Sequence, residues 1–526
     1  MRETDGHDDG LIGSLILQLL PQMVFRTLRS FEIAVRTKSL QHHSPAEGIT
    51  AMPRQTISRR NFVKGAAALA VGAPAVVPAH VFGQSNTPAT PPSERITLGF
   101  IGIGKQAHGH LDFLAGLGNT QVLAVCDVHT LRRNAAKDLV DKKYALLERK
   151  DYPGCDAYVD YHQLLDRKDI QAVVIGTPDH WHTSIAMSAC AAGKDIYCEK
   201  PLTLTIDEAH RLIGVVRKYD RIFQVGSQQR SEGPFRQACE FIRSGRLGKI
   251  SEVHVGIGPT SKWCDLPAET QDPNTDWNMW LGQAPMRPYN EIICRKGLPE
   301  KYPFNPGWRD YREYSGGFIT DWGAHHFDIT QWALDMDHSG PVEALPPANP
   351  DDKYGAQVVY RGSPVGDEIT VTHVEKVYEW DGPDKIKKGA AATEPTTSAA
   401  PVIKHHVEKN GILFIGDKGK LFVNRELILS EPESILLEPL GPSDTHLEVS
   451  PGHRPNWLKC IKSRKLPIAD VEIGARSVTV CHLVNLAYWH GRKLTWDPQK
   501  WEFPGDAEAN SWRTRERRKG FELPDV

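Results

Sequence analysis

From Arg95 onward the chain alternates short apolar runs with longer amphipathic stretches. Ile96-Thr97-Leu98-Gly99-Phe100-Ile101 alternates and then runs apolar, and Gln121 to Asp127, Ala172 to Ile175 and Asp195 to Cys198 are short runs of the same kind. Apolar runs of four to eight residues rich in β-branched side chains read as strands buried on both faces. The first helical pattern between them opens near Lys105 and places Leu111, Phe113, Leu114 and Leu117 on its inner face. Strand and helix alternating at this spacing predicts a parallel sheet covered by helices on both sides. After about residue 230 the texture changes. Ile250 to Val255, Ile369 to Val374, Gly411 to Ile415 and Lys420 to Val423 read as strands of a more open, antiparallel sheet. Asp417-Lys418-Gly419 is a hairpin-like turn. Lys387 to Ala400 reads as a low-complexity surface loop and Arg476 to Arg492 as a late helix.

With 526 residues the chain exceeds what one core usually serves, so two folded domains are expected. A net charge of −2 gives no basis for a nucleic-acid or anionic-membrane surface. Ser58-Arg59-Arg60-Asn61-Phe62-Val63-Lys64, followed by the small, apolar run Gly65 to Ala79, is similar to a twin-arginine export signal. That run is shorter than the roughly 20 residues of a membrane span, so no stable span is expected. Met52 stands well placed as an alternative start before the signal. The nine cysteines all follow residue 84, are odd in number and include no Cys-x-x-Cys pair, against both a zinc site and a complete disulfide framework. Free buried thiols suit a protein that folds in a reducing compartment before export.

Candidate chemistry begins at Gly102-Ile103-Gly104-Lys105-Gln106-Ala107. A dinucleotide site needs a tight turn, close backbone approach to a pyrophosphate and a helix N-terminus aimed at it. Gly102 and Gly104 supply the first two, and Ala107 fills the third small position. Asp127 ends the second strand, where a carboxylate accepts from ribose hydroxyls and repels a 2′-phosphate. NAD is therefore expected as cofactor in preference to NADP. Downstream come Gly176-Thr177-Pro178-Asp179-His180-Trp181-His182 and Tyr197-Cys198-Glu199-Lys200-Pro201-Leu202. A third stretch, Ser315 to Asp328, holds two glycines followed by Asp321 and His325, four apart and so on one helical face.

This order of motifs resembles the family of glucose–fructose oxidoreductase and inositol dehydrogenase (Gfo/Idh/MocA), over roughly residues 95–500. The resemblance implies an α/β protein: an N-terminal Rossmann dinucleotide-binding domain (95–225) and a C-terminal α/β domain with an open, mostly antiparallel sheet (226–500). An N-terminal signal region (1–84), a linker (85–94) and a tail (501–526) complete the organisation. It implies cofactor contacts from Gly102, Gly104, Lys105, Gln106, Asp127, Thr177, Pro178, His182, Glu199, Lys200 and Pro201. It places Lys200 beside the nicotinamide and the reacting hydroxyl, where an ammonium hydrogen-bonds an alkoxide or carbonyl oxygen. His325 is the expected general base or acid, with Asp321 binding a substrate hydroxyl or orienting that histidine. Weaker substrate candidates are Arg230, Trp308, Arg309 and His326. No metal is expected, because only Asp321 and His325 share a face. A packing role competes with the cofactor role for His182.

The expected function is hydride transfer between NAD and a sugar or sugar-like polyol, in an exported, homo-oligomeric (dimeric or tetrameric) enzyme that recycles a tightly held cofactor. Two rivals remain: a redox-assisted glycosidase or lyase using the same cofactor, and a non-enzymatic sugar-binding protein.

Overall fold

The computed structural model describes residues 91–298, 307–382 and 404–526. The twin-arginine stretch, Met52, the start of the linker and the Lys387 to Ala400 loop lie outside the described residues.

Six strands form the first sheet: β1 (Ile96–Ile101), β2 (Thr120–Cys126), β3 (Asp156–Tyr158), β4 (Ala172–Ile175), β5 (Asp195–Cys198) and β6 (Phe223–Val225). Their order is β3-β2-β1-β4-β5-β6, and every neighbouring pair is parallel. The order reverses between β1 and β4, which opens a crevice at the carboxyl ends of these strands. Helices α1 (Lys105–Gly116), α2 (Thr130–Leu146), α3 (Asp179–Ala191) and α4 (Ile206–Lys218) make crossovers. The expected runs fall on β1, β2, β4 and β5; Asp127 lies one residue beyond β2. The inner face of α1 is Ala107, His110, Leu111, Leu114 and Ala115. Phe113 departs from expectation. It lies off this i, i+3, i+4 stripe, is 38% exposed, and is covered by the Arg454 guanidinium at 4.5 Å.

The second sheet is built from β7 (Ile250–Gly256), β8 (Glu343–Leu345), β9 (Gln357–Ser363) and β10 (Gly366–Val374), with later strands after a separate hairpin of β11 (Tyr378–Gly382) and β12 (Lys404–Glu408). Those later strands are β13 (Gly411–Gly416), β14 (Gly419–Val423), β15 (Ile428–Glu431) and β16 (Leu494–Thr495). The order is β15-β14-β13-β7-β10-β9-β8-β16, antiparallel throughout except for the parallel pair β7–β10. Asp417 and Lys418 form the β13–β14 turn where the sequence placed it.

Three further helices, α5 (Gly233–Arg243), α6 (Gly323–Ala333) and α7 (Val471–His490), join the two sheets. Helix α6 packs on α5 and α7, and α7 packs on α4. One apolar core runs from Ile101 and Val173 through Phe235 and Phe327 to Val371 and Val484. Helix α7 begins five residues before Arg476 because the Asp470 side chain caps it, accepting from Glu472 N–H, and it stops at Gly491 with φ +61°. All nine cysteines are free. No helix among the described residues is long and apolar enough to cross a membrane.

Candidate active site

The crevice at the β1–β4 reversal deepens into a cleft of about 1700 Å³, open mouth included, whose far wall comes from α6, the Gly307–Asp310 turn and the loop after β14. Its floor is the glycine turn. Gly102 adopts φ +82°, and a Cβ there would stand 2.6 Å from Thr177 N, so only glycine fits. Gly176 is fixed by packing: its Cβ would lie 2.6 Å from the Cβ of Ala107, where α1 meets the strand. Gly104 differs. A Cβ there meets nothing closer than Gly176 O at 3.9 Å, so the protein's own packing leaves that position open toward the cleft. Helix α1 starts at Lys105 without a side-chain cap, leaving its first N–H groups for an anion. Asp127 fixes the turn: Oδ2 accepts from Ile103 N–H at 2.6 Å and Oδ1 from His129 N–H at 2.7 Å. A carboxylate has about four acceptor sites, so further lone pairs remain for ribose hydroxyls.

The Lys200 side chain is anchored across the cleft. Its Nζ donates to Asp321 Oδ1 at 2.6 Å and to Asp321 O at 2.9 Å. Arg309 Nε donates to the same Oδ1 at 3.1 Å. Burial opposes the Asp321 charge, but Lys200 and Arg309 outweigh it and hold this carboxyl down at about 2. Asp321 therefore orients Lys200 and Arg309, and makes no hydrogen bond to His325. The turn carrying it, Phe318–Asp321, is launched by Gly317 at φ +74°, and Asn485 of α7 donates to Gly316 O at 2.8 Å.

Glu199, immediately before Lys200, is buried and accepts from His110 Nε2 at 2.6 Å. Arg454 Nε donates to the other ring nitrogen of His110 at 2.7 Å, which leaves the ring proton on Nε2, directed at Glu199. Burial raises Glu199, yet the His110 hydrogen bond and the charge of Lys200 bring it to about 2. Gln106 and Gln228 approach the same carboxylate at 3.5 Å. Neither His110 nor Arg454 belongs to a motif that sequence reasoning used.

His325 lines the cleft with its basicity lowered well below the ordinary range, first by burial and then by the charges of Lys200 and Arg425. Arg425 Nη2 donates to Nε2 at 3.3 Å, placing the ring proton on Nδ1, which is buried and has no partner. Arg425 comes from the turn after β14, and its guanidinium lies 5.0 Å over the Trp322 ring. Asp179, the first residue of α3, also lines the cleft. It is 3% exposed, accepts from Ser315 Oγ at 2.6 Å, and is pushed up to about 7 by burial against the lowering pull of Arg309 and Ser315. Sequence reasoning missed both Arg425 and Asp179. Asp179 stood inside the Thr-Pro motif, but nothing local showed its burial.

Of the sequence candidates, Gly102, Gly104, Lys105, Gln106, Asp127, Thr177, Pro178, Glu199, Lys200, Trp308, Arg309, Asp321 and His325 line this one cleft. Four do not. His182 is buried behind the wall, its Nδ1 2.7 Å from Pro201 O and its Nε2 3.0 Å from Thr177 O, so it ties the two loops together from outside the cleft. Pro201 follows a cis bond from Lys200 and is itself buried, outside the cleft lining. Arg230, 1% exposed, is consumed by Asp328 at 2.8 Å and Asp337 at 2.7 Å. His326 is fully buried and hydrogen-bonded to Asn410 at 3.1 Å, because the residue after His325 points about 100° away around the helix.

The family model for the Gfo/Idh/MocA oxidoreductases, NAD-binding Rossmann fold, matches residues 96–227, and that for their C-terminal alpha/beta domain matches 254–362. The chain belongs to the Gfo/Idh/MocA oxidoreductase family. Inositol 2-dehydrogenase of Salmonella typhimurium is 36% identical over 161 residues, 30% of this chain and 45% of that protein. An alpha-N-acetylgalactosaminidase of Shewanella oneidensis is 31% identical over 220 residues, 39% of this chain and 47% of that protein. The chain thus spans about half the length of the curated relatives it matches. Among solved structures, an NAD-binding protein from Listeria innocua superposes with a TM-score of 0.47 at 17% identity, covering 76% of this chain and 97% of that one.

The cleft of this Gfo/Idh/MocA protein fits the family's dinucleotide on its own geometry. Gly104 leaves room that the protein does not fill, the α1 N–H groups are uncapped, and Thr177 Oγ1 is a buried hydroxyl without a partner. Gly104, Lys105 and Gln106 would hold the pyrophosphate, Asp127 a ribose, and Thr177, Pro178 and Lys200 the nicotinamide end.

Proposed function

We propose that this protein is an NAD-dependent oxidoreductase acting on a CH–OH group of a sugar or polyol. One observation carries the reading. The Lys200 ammonium is held by Asp321, which also accepts from Arg309, in the same cleft, and beyond the same strand ends, as the glycine turn and Asp127. The nicotinamide supplies a hydride acceptor or donor. The chain's own groups manage the oxygen and its proton. Lys200 donates a hydrogen bond to the reacting oxygen and stabilises the negative charge that develops there. His325, a neutral imidazole, is in the form that accepts a hydroxyl proton at Nε2 once Arg425 turns away, and its weakened basicity lets that proton leave again. NAD is favoured over NADP because Asp127 meets the adenosine ribose, while Arg132 in the same wall is tied to the carbonyls of Arg295 and Gly297. The twin-arginine stretch supports export of an already folded, cofactor-loaded protein, and with it a cofactor recycled in place.

The test is to denature the purified, exported protein without added cofactor and identify released nucleotide by mass spectrometry, then to follow NADH formation with a sugar and polyol panel. NAD or NADH in near-stoichiometric amount supports the reading. An empty protein that also fails to bind added NAD would overturn it. Lys200→Ala is expected to lower kcat by roughly 10²–10⁴-fold with NAD binding retained; full activity in that variant would remove Lys200 from the chemistry. The similarity to an alpha-N-acetylgalactosaminidase keeps a second reading open. Glycoside cleavage that needs bound NAD, without NADH accumulating, would establish a redox-assisted glycosidase instead.

A further inference from the structure

The substrate end of the cleft is more cationic than oxidation of a neutral polyol requires. Lys200, Arg309 and Arg425 all line it. Among the described residues Asp321 is the carboxylate that accepts hydrogen bonds from these side chains, and it serves Lys200 and Arg309 through one oxygen; Glu199 beside Lys200 is the other ionised carboxylate of this wall. Arg309 stacks on Trp308 at 4.4 Å and uses only Nε toward Asp321. Its Nη1 is buried and has no partner. Arg425 is held by the Trp322 ring, by His325 Nε2 and by Glu232 at 3.8 Å, an approach too long for a hydrogen bond. Asp179, in the same wall, carries little charge below neutral pH because burial raises it. A guanidinium presents a planar fork that matches a carboxylate with two parallel N–H···O bonds, and neither fork is filled in this way.

We propose that the sugar or cyclitol oxidised here carries a carboxylate, as in a uronic or aldonic acid, bound between Arg309 and Arg425. The inference rests on the oxidoreductase reading and narrows its substrate class. It also links binding to chemistry. A carboxylate that draws Arg425 toward itself removes the donor from His325 Nε2 and offsets the charge that suppresses this imidazole. The base is then freed when a substrate of the right charge is seated. The substrate gives its hydroxyl proton to His325 and its carbon-bound hydride to the nicotinamide; the carboxylate itself is unchanged.

The experiment uses the full chain loaded with NAD and matched substrates: glucose against glucuronate and gluconate, galactose against galacturonate, with glucose 6-phosphate as the other anionic class. NADH formation gives kcat/KM, and quenching of bound NADH fluorescence gives affinity independently of turnover. The acids are expected to exceed their neutral partners by roughly 10- to 100-fold in kcat/KM, the range of one or two charge-assisted hydrogen bonds. Arg425→Met is expected to collapse that ratio toward one. Arg425→Lys, which keeps the charge but loses the fork, is expected to restore only part of it and guards against a folding defect in the first variant. Equal handling of acids and neutral sugars, in turnover and in binding, would overturn the inference while leaving the oxidoreductase reading intact. So would preference for the phosphate, which would assign the forks to a phosphomonoester. Failure of the general reading shows differently, as loss of NAD binding itself.

Discussion

Asp179 is the side chain whose surroundings make the sharpest demand on its charge. It is fully enclosed, its single hydrogen-bond donor is Ser315 Oγ, and burial lifts it from 3.8 to about 7. The folded protein therefore keeps a proton that the unfolded chain surrenders from about pH 4 upward. Its stabilising contribution is fully present below pH 4 and is lost as pH rises through 7, where the folded form must carry a buried carboxylate. Asp179→Asn preserves an acceptor for Ser315 and removes the charge. The gap in stability between variant and wild type is expected to widen in the variant's favour by roughly 2–3 kcal/mol from pH 5 to pH 8, read as the difference in denaturation midpoints with NAD absent. A gap that does not change with pH would show that Asp179 is ionised throughout. Asp321 is the counter-example in the same cleft. It is equally buried, yet two cations keep it at about 2, so it stays charged across this range.

At the scale of elements, the glycine turn separates two reasons for having no side chain. Gly102→Ala must strain a backbone at φ +82° and push against Thr177 N, so it is expected to cost stability as well as cofactor affinity. Gly104→Ala meets only Gly176 O at 3.9 Å. Its melting temperature without cofactor should stay near wild type while NAD affinity, measured by titration calorimetry, falls at least about tenfold as the methyl occupies the pyrophosphate approach. Equal destabilisation by both variants would mean that Gly104 serves packing and not the ligand. The turn was legible because such constraints act between neighbours: β1, Gly102, Gly104 and Asp127 lie within one βαβ unit, and apolar runs buried on both faces announce themselves. So do Lys200 and Asp321, through Glu-Lys-Pro and the Gly-Gly turn. Arg425 was not legible. It sits on a turn between β14 and β15 and meets His325, a hundred residues earlier, only because the second sheet carries that turn to the cleft. Arg230 and His326 were misread for the opposite reason. Their motif neighbours face the cleft, but Arg230 turns into the core to meet Asp328 and Asp337, and helical rotation takes His326 to Asn410. Periodicity locates faces; it does not reveal which distant element supplies the partner.

Over the whole molecule, the site depends on chain that returns from far away. The helix His453–Ser463 sets Trp457 into the core of the first sheet, and Arg454 from its first turn fixes His110 and through it Glu199. Residues after 500, read from sequence as a tail, bury Trp501, Phe503 and Ala509. Beyond them Arg517 pairs with Glu208 of α4 and donates to Ser184 of α3 at 3.1 Å, and Phe521 lies against Trp181 of α3 with ring centres 5.9 Å apart. Helix α3 begins at the Thr177–Pro178 edge of the cleft, and α4 follows the loop that carries Lys200. Glu208 is 5% exposed, so removing its cation strands a buried carboxylate whose other donors are Thr183 Oγ1 and Leu204 N–H. Deleting residues 514–526 is therefore expected to destabilise the protein by about 3–5 kcal/mol, the cost of breaking a buried pair from one side. Amide exchange should rise along α3 and α4, and NAD affinity should weaken although no deleted residue lines the cleft. Glu208→Gln combined with the deletion should recover part of the loss, since no stranded charge remains. Unchanged exchange along both helices after the deletion would mean that the segment covers them without holding them.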